Sequence, residues 1–561
     1  MTAGGSPRAW LYWHTVRHLK PVQIGARLWR KLPGRAPRID DPPPCRAAVG
    51  VWATPATRAP SMCGAMTFTF LNETRAVGDR WAHAGASALW LYNLHYFDDL
   101  NAEGAHSRRD WHLQAIEGWI RSNPPGVGVG WDPYPASLRI VNWIKFGLGS
   151  PSSLNERAIE SLATQLRHLD GNLEYHLLGN HLFANAKALL FGGLFFEGAE
   201  ADQWLAKAMT VLSREVPEQI LADGAQFERS TMYSALAFED MLDMINVSNA
   251  YSDGIGVPWR GFVSTWPSIA GRMRSWLQHM RHPDGEISFF NDAAIGNTAA
   301  PAELERYADA LSVLATEGGD RVGVGAEAGV RAIHLVSSGY LSASAGSAKL
   351  FIDVAPVGPD YLPGHAHADT LSFELSVHGR RLIVNGGTSR YGNGPERDDE
   401  RSTLAHSTVT INEQDSSEVW GGFRVARRAR PIDLQVAGDD RGLTVSCGHD
   451  GYRRLAGRPT HRRRWRLERQ RLSVEDRIEG TFESAVARYI FHPGVSCSLN
   501  EAGTSATISV DCGSTVSLII SGGRARIEAA QYHPEFGKTI STQCLVLAIE
   551  KDVPATIEVL W

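Results

Sequence analysis

The stretch Gly364-His365-Ala366-His367-Ala368-Asp369, followed by residues 370–377, decides how the rest of the chain is interpreted. Every second residue from Leu371 to Val377 is apolar, which predicts a strand with one buried face. Side chains alternate along an extended segment, so His365 and His367 are expected on the same side. Two imidazoles with a carboxylate nearby can bind a metal or transfer protons, and a polar strand edge is the alternative.

Length and composition indicate a large globular protein. With 561 residues the chain is too long for one hydrophobic core, so two or more domains are expected. Hydrophobic residues make up 43% and charged residues 21%, an ordinary balance for a globular protein. The net charge of −5 argues against nucleic acid as a partner. It leaves an anionic sugar substrate open, because a cleft can be locally basic on an acidic protein.

Cysteine usage and hydropathy bear on the compartment. The six cysteines are scattered without a Cys-x-x-Cys pair, which favours buried thiols over a disulfide framework or a zinc cluster. The first 38 residues lack the continuous apolar run of a secretory signal. The longest apolar candidate, residues 184–196, is too short to span a membrane. A cytoplasmic protein is therefore expected, with the periplasm as the alternative.

The periodicity of apolar residues divides the chain into three parts. Residues 1–65 are basic and then Pro-rich, which predicts a short helix near residues 14–31 followed by an irregular strap. A helical period dominates residues 66–325 and indicates a helical toroid or solenoid. Residues 326–561 carry short alternating strands separated by Gly and Asp turns, which is typical of an antiparallel β-sandwich. The predicted fold class is multidomain, α followed by β.

Several common enzyme motifs are absent. Residues 323–329 superficially resemble a dinucleotide-binding loop, but the last spacing is wrong and no βαβ unit surrounds them. The sequence has neither a Gly-x-Ser-x-Gly nucleophile elbow nor a phosphate loop with Lys-Ser/Thr. The basic stretch 461–466 could bind nucleic acid, but strand alternation splits its charges, so a solvated sheet face is the preferred interpretation.

Four motifs in order carry a family resemblance. They are Gly179-Asn180-His181, then Asp223-Gly224 with Glu228, Ser230 and Tyr233, then His365-x-His367-x-Asp369, then Arg401–Thr408. In this order they resemble the heparinase II/III family of polysaccharide lyases, over roughly residues 90–480. The resemblance implies an incomplete (α/α) toroid joined to an antiparallel β-sandwich, with the cleft between them.

The resemblance also implies a reaction and its residues. Family members cleave uronic-acid-containing polysaccharides by β-elimination. The uronate carboxylate must be neutralised so that negative charge can develop when the C5 proton leaves, and Asn180 and His181 match the residues that do this. Tyr233 matches the tyrosine that serves as base and acid, and His365 matches the histidine that assists it.

Further residues are predicted to bind substrate or metal. Trp131, Arg139, Glu228 and Tyr391 are expected to face the sugar, with core packing as the alternative for the first two.

His367 and His406 match ligands of a structural zinc ion that some family members bind. The third ligand is usually an Asp, where this chain has Asn385, a poorer zinc ligand because an amide carries no charge. Asp369 could substitute as the third ligand. Metal-free hydrogen bonding between Asn385 and His367 is the alternative to zinc.

Two other functions remain open at this point. A glycoside hydrolase on a similar toroid would need two carboxylates across the cleft, and Asp223, Glu228 and Asp292 are available. A non-catalytic glycan-binding protein in exopolysaccharide assembly would keep the fold without turnover. In each case the expected partner is an anionic polysaccharide or oligosaccharide; the sequence specifies neither the glycan nor the oligomeric state.

Overall fold

The structure is a computed structural model that describes residues 8–31, 36–78, 81–150, 153–318, 320–325, 329–510 and 515–561. Its helices are α1 Arg8–Val16, α2 Pro21–Trp29, α3 Ala88–Tyr96, α4 Arg109–Ser122, α5 Pro133–Gly149, α6 Glu156–Asp170, α7 Gly179–Phe195, α8 Ala199–Gln219, α9 Thr231–Ala250, α10 Val257–Val263, α11 Trp266–His279, α12 Pro301–Ala310 and α13 Pro395–Arg401. Within the described ranges, none of these helices combines the length and the apolar composition needed to cross a membrane.

The strands fall mainly after residue 320. They are β1 Met62–Gly64, β2 Thr67–Phe70, β3 Glu73–Ala76, β4 Arg321–Gly325, β5 Val330–Leu335, β6 Tyr340–Ala345, β7 Ala348–Asp353, β8 Phe373–Val377, β9 Arg380–Val384, β10 Val409–Ile411, β11 Val419–Trp420, β12 Arg424–Val425, β13 Pro431–Gly438, β14 Gly442–His449, β15 Thr460–Glu468, β16 Arg471–Glu479, β17 Ala485–Phe491, β18 Val495–Leu499, β19 Ser505–Val510, β20 Thr515–Ser521, β21 Ala525–Tyr532, β22 Ile540–Ala548 and β23 Ala555–Leu560. The predicted order, helices and then an antiparallel sandwich, is confirmed.

The helical part is built around two helices that are buried almost all the way round. Nearly every residue of α7 and α9 is buried, which is the pattern of a helix enclosed by other helices. Helices α5 and α8 pack against α7, and α11 and α12 pack against α9. Amphipathic helices such as α6 turn one apolar stripe inward. Together these helices form an incomplete (α/α) toroid.

The predicted helix near residues 14–31 is wrong, because the structure has two helices there. Helix α1 ends at Val16, and α2 begins at Pro21. The residue before a proline avoids the helical region, and Lys20 is extended with φ −68° and ψ 145°. Pro21 then occupies the first position of α2, where its missing N–H costs nothing.

Two antiparallel sheets form the sandwich. The ten-stranded sheet has the order β21-β22-β17-β9-β8-β7-β6-β5-β4, with β10 also pairing with β17. The eight-stranded sheet has the order β13-β14-β15-β16-β23-β20-β19-β18. Apolar side chains from both sheets form one core, as alternation along each strand requires.

The half-buried strand predicted for residues 371–377 is buried on both faces. All five residues of β8 are buried, including the polar Glu374 and Ser376. His282, in the helical part, lies 2.8 Å from Glu374 Oε2 through Nε2 and 2.7 Å from Ser376 Oγ through Nδ1. The polar face of β8 therefore packs against the helical domain. Residues 364–369 precede β8 as an irregular loop, so His365 and His367 are not on one face of a strand.

Candidate active site

Tyr233 lies in the first turn of α9, and a tight local structure fixes its position. Ser230 caps the helix by accepting the Tyr233 backbone N–H at 3.0 Å. The preceding residue, Arg229, has a φ of +61°, and its Nε donates to Ser338 O at 3.0 Å. The left-handed residue turns the chain sharply into the helix, which aims the Tyr233 side chain at the sandwich.

The Tyr233 ring stacks on the imidazole of His365. The two ring centroids are 3.9 Å apart and the planes are inclined by 17°. The Tyr233 hydroxyl is 2.9 Å from the hydroxyl of Tyr391. Tyr233 belongs to the helical part, whereas His365 and Tyr391 belong to loops of the sandwich. Side chains of the helical part and of the sandwich therefore meet here.

Glu228 orients His365. His365 Nδ1 lies 2.7 Å from Glu228 Oε2, and a carboxylate oxygen accepts, so Nδ1 carries the hydrogen. In the neutral ring Nε2 is then the nitrogen able to accept a proton. Glu228 was expected to face the substrate, but its side chain is buried against His365 and Gln226. The structure therefore places Glu228 against His365 and not on an exposed surface.

Asn180 and His181 open α7 beside Tyr134. The Asn180 side chain counteracts the rise that burial causes in the pKa of Tyr134, and the His181 and Tyr134 ring centroids are 4.4 Å apart. His181 Nδ1 is also 3.2 Å from a carboxylate oxygen of Glu174. Burial would raise the pKa of Glu174, but the attraction of His181 and hydrogen bonds lower it below its ordinary value.

Close packing brings the start of α7 to the His365 side of the site. Gly179 has a φ of +55°, and a Cβ there would lie 2.3 Å from Leu362 Cδ2 and 3.6 Å from Glu228 Oε1. Only glycine fits this left-handed position without displacing Leu362. Tyr134 adds to the rise in the pKa of Tyr233. We call the region between the start of α7, with Asn180 and His181, and the stacked rings of Tyr233 and His365 the cleft.

Burial keeps the two central phenols protonated. It raises the pKa of Tyr233 well above its ordinary value, and the neighbouring Tyr391 adds to the shift. Burial likewise raises the pKa of Tyr391. A phenol in this state is protonated before the reaction and is available as a proton donor, whereas a phenol that acts as the base must first be deprotonated, which burial disfavours.

Trp131 and Arg139 are core residues and not the substrate-binding residues expected from the sequence. Arg139 is fully buried; its guanidinium stacks on Trp119 at 3.8 Å and donates to Gln165 Oε1 at 2.9 Å. Trp131 is buried against the same Trp119 ring. Tyr134 is the cleft residue of this stretch. The Trp131–Tyr134 sequence signalled it, but an aromatic cluster does not reveal which ring faces inward.

The predicted zinc ligands do not assemble into a zinc site. His367 Nδ1 and His406 Nε2 face each other at 3.0 Å. Asn385 is occupied elsewhere, because its amide donates to Phe289 O at 2.8 Å and accepts from the Ser407 N–H at 3.1 Å. Among the described residues, no three His, Cys, Asp or Glu side chains are grouped to hold a metal ion. Two imidazoles are fewer than the four ligands of a structural zinc site, so the pair alone does not complete one.

The other nitrogen of His367 binds a buried ion pair. His367 Nε2 lies 2.8 Å from Asp292 Oδ1. The Asp292 carboxylate also accepts hydrogen bonds from both terminal nitrogens of Arg397, at 2.5 and 2.7 Å. Burial alone would raise the pKa of Asp292, but Arg397 and His367 lower it below the ordinary range. Burial lowers the pKa of His367 to about 4. The two histidines of one motif therefore have different environments.

Comparison with known families gives two matches that together span most of the chain. Residues 102–316 match the family model described as Heparinase II/III N-terminus. Residues 328–560 match the model described as Heparinase II/III-like, C-terminal. The boundary between the two matches coincides with the change from helices to strands.

Individual relatives are similar at low identity. The chain is 26% identical to a heparin-sulfate lyase of Bacteroides stercoris over 54% of this chain and 50% of the relative. It is 26% identical to a heparin-sulfate lyase of Pedobacter heparinus, over 54% and 48%. The chain thus spans about half the length of these curated relatives. A solved structure of heparinase III superposes with a TM-score of 0.64 at 16% identity, covering 86% of this chain and 79% of that one, a likeness of fold.

Proposed function

Because the chain belongs to the heparinase II/III-like family, we propose that it is a polysaccharide lyase that cleaves a uronate-containing anionic polysaccharide by β-elimination. The observation that carries the proposal is the stack of Tyr233 on His365, with Glu228 bound to His365 Nδ1. It places a phenol that can donate a proton beside an imidazole that can accept one.

The reaction removes a proton from C5 and breaks the bond between C4 and O4, leaving a C4–C5 double bond. Charge develops on the uronate carboxylate as the C5 proton leaves, and donors aimed at that carboxylate stabilise it. Asn180 and His181, on the first turn of α7, would supply these donors. The positive end of the helix dipole favours the same anion.

The proton transfers follow from the stacking. The stacked rings, with centroids 3.9 Å apart, keep the phenol and the imidazole close enough to act on the same sugar ring. His365 Nε2 would take the C5 proton, and the Tyr233 hydroxyl would protonate the departing O4. The raised pKa of Tyr233 supports its role as the acid. This division refines the expectation that Tyr233 serves as both base and acid.

The hydrolase alternative loses support because the available carboxylates are occupied. Glu228 binds His365, Asp292 binds Arg397, and Asp223 accepts the Ser338 N–H and hydroxyl at 2.7 Å. A glycoside hydrolase needs two carboxyl groups that face the scissile bond across the cleft.

A test uses a panel of uronate-containing glycans and ultraviolet absorbance, which reports the new double bond. We expect absorbance with at least one glycan. Removing a general acid or base costs about 10²- to 10⁴-fold, so Tyr233→Phe and His365→Ala should each lower the rate by that factor. Tyr452→Phe is the matched control, because Tyr452 is a buried phenol that donates to Val409 O inside the sandwich.

Each outcome discriminates between functions. Absorbance that survives unchanged in both variants contradicts the assigned roles. A new reducing end without absorbance would indicate a hydrolase. Glycan binding without any product, unaffected by Tyr233→Phe, would indicate a non-catalytic glycan-binding protein.

A further inference from the structure

Helices α1 and α2 present an apolar surface to solvent. Eight of the 21 large hydrophobic side chains that are exposed among the described residues lie within residues 8–31. They are Trp10, Tyr12, Trp13, Val16, Val22, Ile24, Leu28 and Trp29, and Trp29 is 73% exposed. We call these eight residues the apolar face. Exposed apolar residues that occur singly are ordinary, but a cluster of this density marks an interaction site.

The two helices bury polar side chains and expose apolar ones, the reverse of an ordinary amphipathic helix. Their buried residues are polar, His14 in α1 and Gln23 in α2. The Gln23 amide donates to Tyr361 O at 3.3 Å and to Leu177 O at 3.4 Å. A helix that only covered the protein would turn its apolar side chains inward. The apolar face is therefore not covered by the part of the chain that the structure describes.

The charge of the same segment limits the chemical class of partner that it can bind. Residues 8–31 contain six Lys and Arg residues and neither Asp nor Glu, in a chain whose net charge is −5. Lys20 is paired with Glu218 at 2.8 Å, but Arg8, Arg27 and Lys31 are exposed. A partner with negative charge at its surface and an apolar layer beneath that surface complements these residues.

We propose that the apolar face and its basic residues form a site that binds the surface of an anionic lipid bilayer. Tryptophan favours the boundary between headgroups and acyl chains, and Lys and Arg interact with anionic headgroups. Helices of nine residues can lie in that boundary without spanning the bilayer.

Two other occupants explain the surface less well. A glycan would stack on the aromatic rings and pair with the basic residues, but it would leave the aliphatic Val16, Val22, Ile24 and Leu28 exposed. A second copy of this chain would bring two sets of basic residues together, and like charges across an interface are unfavourable.

The surface adjoins the cleft. Leu177 lies in the loop before Asn180, and Tyr361 lies in the loop before His365, so Gln23 joins the segments that carry both cleft motifs. A protein bound through the apolar face would hold the rim of its cleft near the bilayer. The inference does not rest on the lyase assignment.

The experiment is flotation of the full chain with vesicles of phosphatidylcholine alone or mixed with phosphatidylglycerol. We expect flotation with the mixed vesicles and weaker flotation at high salt. Trp13→Gln combined with Trp29→Gln should reduce partitioning by about tenfold, because binding scales with the apolar area buried. Val257→Gln combined with Leu314→Gln is the control, because those side chains, at 77% and 74%, are at least as exposed as Trp13 and Trp29, at 60% and 73%, but lie elsewhere. The control should float like the unmodified chain.

Three outcomes overturn the proposal. The first is failure of the unmodified chain to float with either vesicle. The second is an equal loss in both double variants. In the third, the Trp variant floats like the unmodified chain but binds an anionic glycan more weakly, or self-associates less in sedimentation.

Discussion

Among the described residues, two Glu–His pairs join the helical part to the sandwich, and one of them lies at the cleft. Glu228 and His365 are 2.7 Å apart, and His282 and Glu374 are 2.8 Å apart. The His365 side chain is 14% exposed, stacked on Tyr233, whereas that of His282 is fully buried against Phe351. We call them the open pair and the closed pair. The same two types of side chain thus lie in two environments, which differ in their access to the cleft and in their neighbours. Under the proposed function, the open pair would serve proton transfer and the closed pair cohesion.

The largest expected effect is on stability, from breaking the closed pair. His282→Ala leaves the Glu374 carboxyl group buried without its imidazole partner. We expect the free energy of unfolding to fall by about 3–5 kcal/mol, measured by denaturant titration. His365→Ala in the open pair should cost at most about 1 kcal/mol, because water from the cleft can reach Glu228. Equal losses from the two substitutions would show that exposure does not distinguish the pairs.

The closed pair should also make stability depend on pH. Burial raises the pKa of Glu374 to about 7 from an ordinary value of 4.5. The folded protein then holds a proton that the unfolded chain has released, so this contribution is full below 4.5 and is lost as the pH rises through 7. The loss amounts to about 3 kcal/mol.

The Glu374→Gln variant lacks this ionisable group. Its free energy of unfolding should therefore fall less between about pH 4.5 and pH 7 than that of the unmodified chain. Matching slopes in the two proteins would place the titration on another group.

The open pair should affect catalysis more than stability. Glu228→Gln keeps the shape of the side chain but removes the carboxylate that fixes the His365 tautomer. We expect turnover to fall by about 10²-fold, in the range for positioned acid–base groups, with a small change in unfolding free energy. Glu374→Gln is the matched control and should keep the turnover of the unmodified chain. A similar loss of turnover in the control would mean that cohesion between the two parts, and not proton transfer, limits the rate.

Much of this organisation is predictable from the sequence, because periodicity reports burial directly. The helix-to-strand order follows from that pattern, and the motifs around Asn180, Tyr233 and His365 identify the cleft. The partners of these residues do not follow. Glu228 meets His365 across 137 residues, and no local pattern encodes such a contact. Tyr134 and Arg139 lie five residues apart, but Tyr134 reaches the cleft and Arg139 is buried in the core. Their orientation within the toroid decides this, and the sequence does not reveal it.

The basic stretch 461–466 shows the same limit. Strand alternation correctly splits its charges, but His461 and Arg463 are buried and not solvated. The hairpin register places Asp476 opposite Arg463, and the two form a buried bidentate pair at 2.7 and 2.9 Å. Arg463 also donates to Leu371 O at 2.9 Å and Ser407 O at 2.7 Å, which ties together the segments that follow His367 and His406. Such a buried charge becomes recognisable only when its partner is known.

The smallest expected effect concerns a third histidine contact, that of His367 with His406. A zinc ion there would make the loop before β8 depend on metal, but Asn385 is bonded to Phe289 O and Ser407 N, and Asp292 is bonded to Arg397. Both neighbours that could complete a coordination shell are thus occupied by protein partners. We therefore expect a strong chelator to leave the unfolding midpoint unchanged, measured by thermal melting with and without added zinc. A midpoint that falls on chelation and returns with zinc would make the metal, and not the Asp292–Arg397 pair, the element that holds this loop beside the cleft.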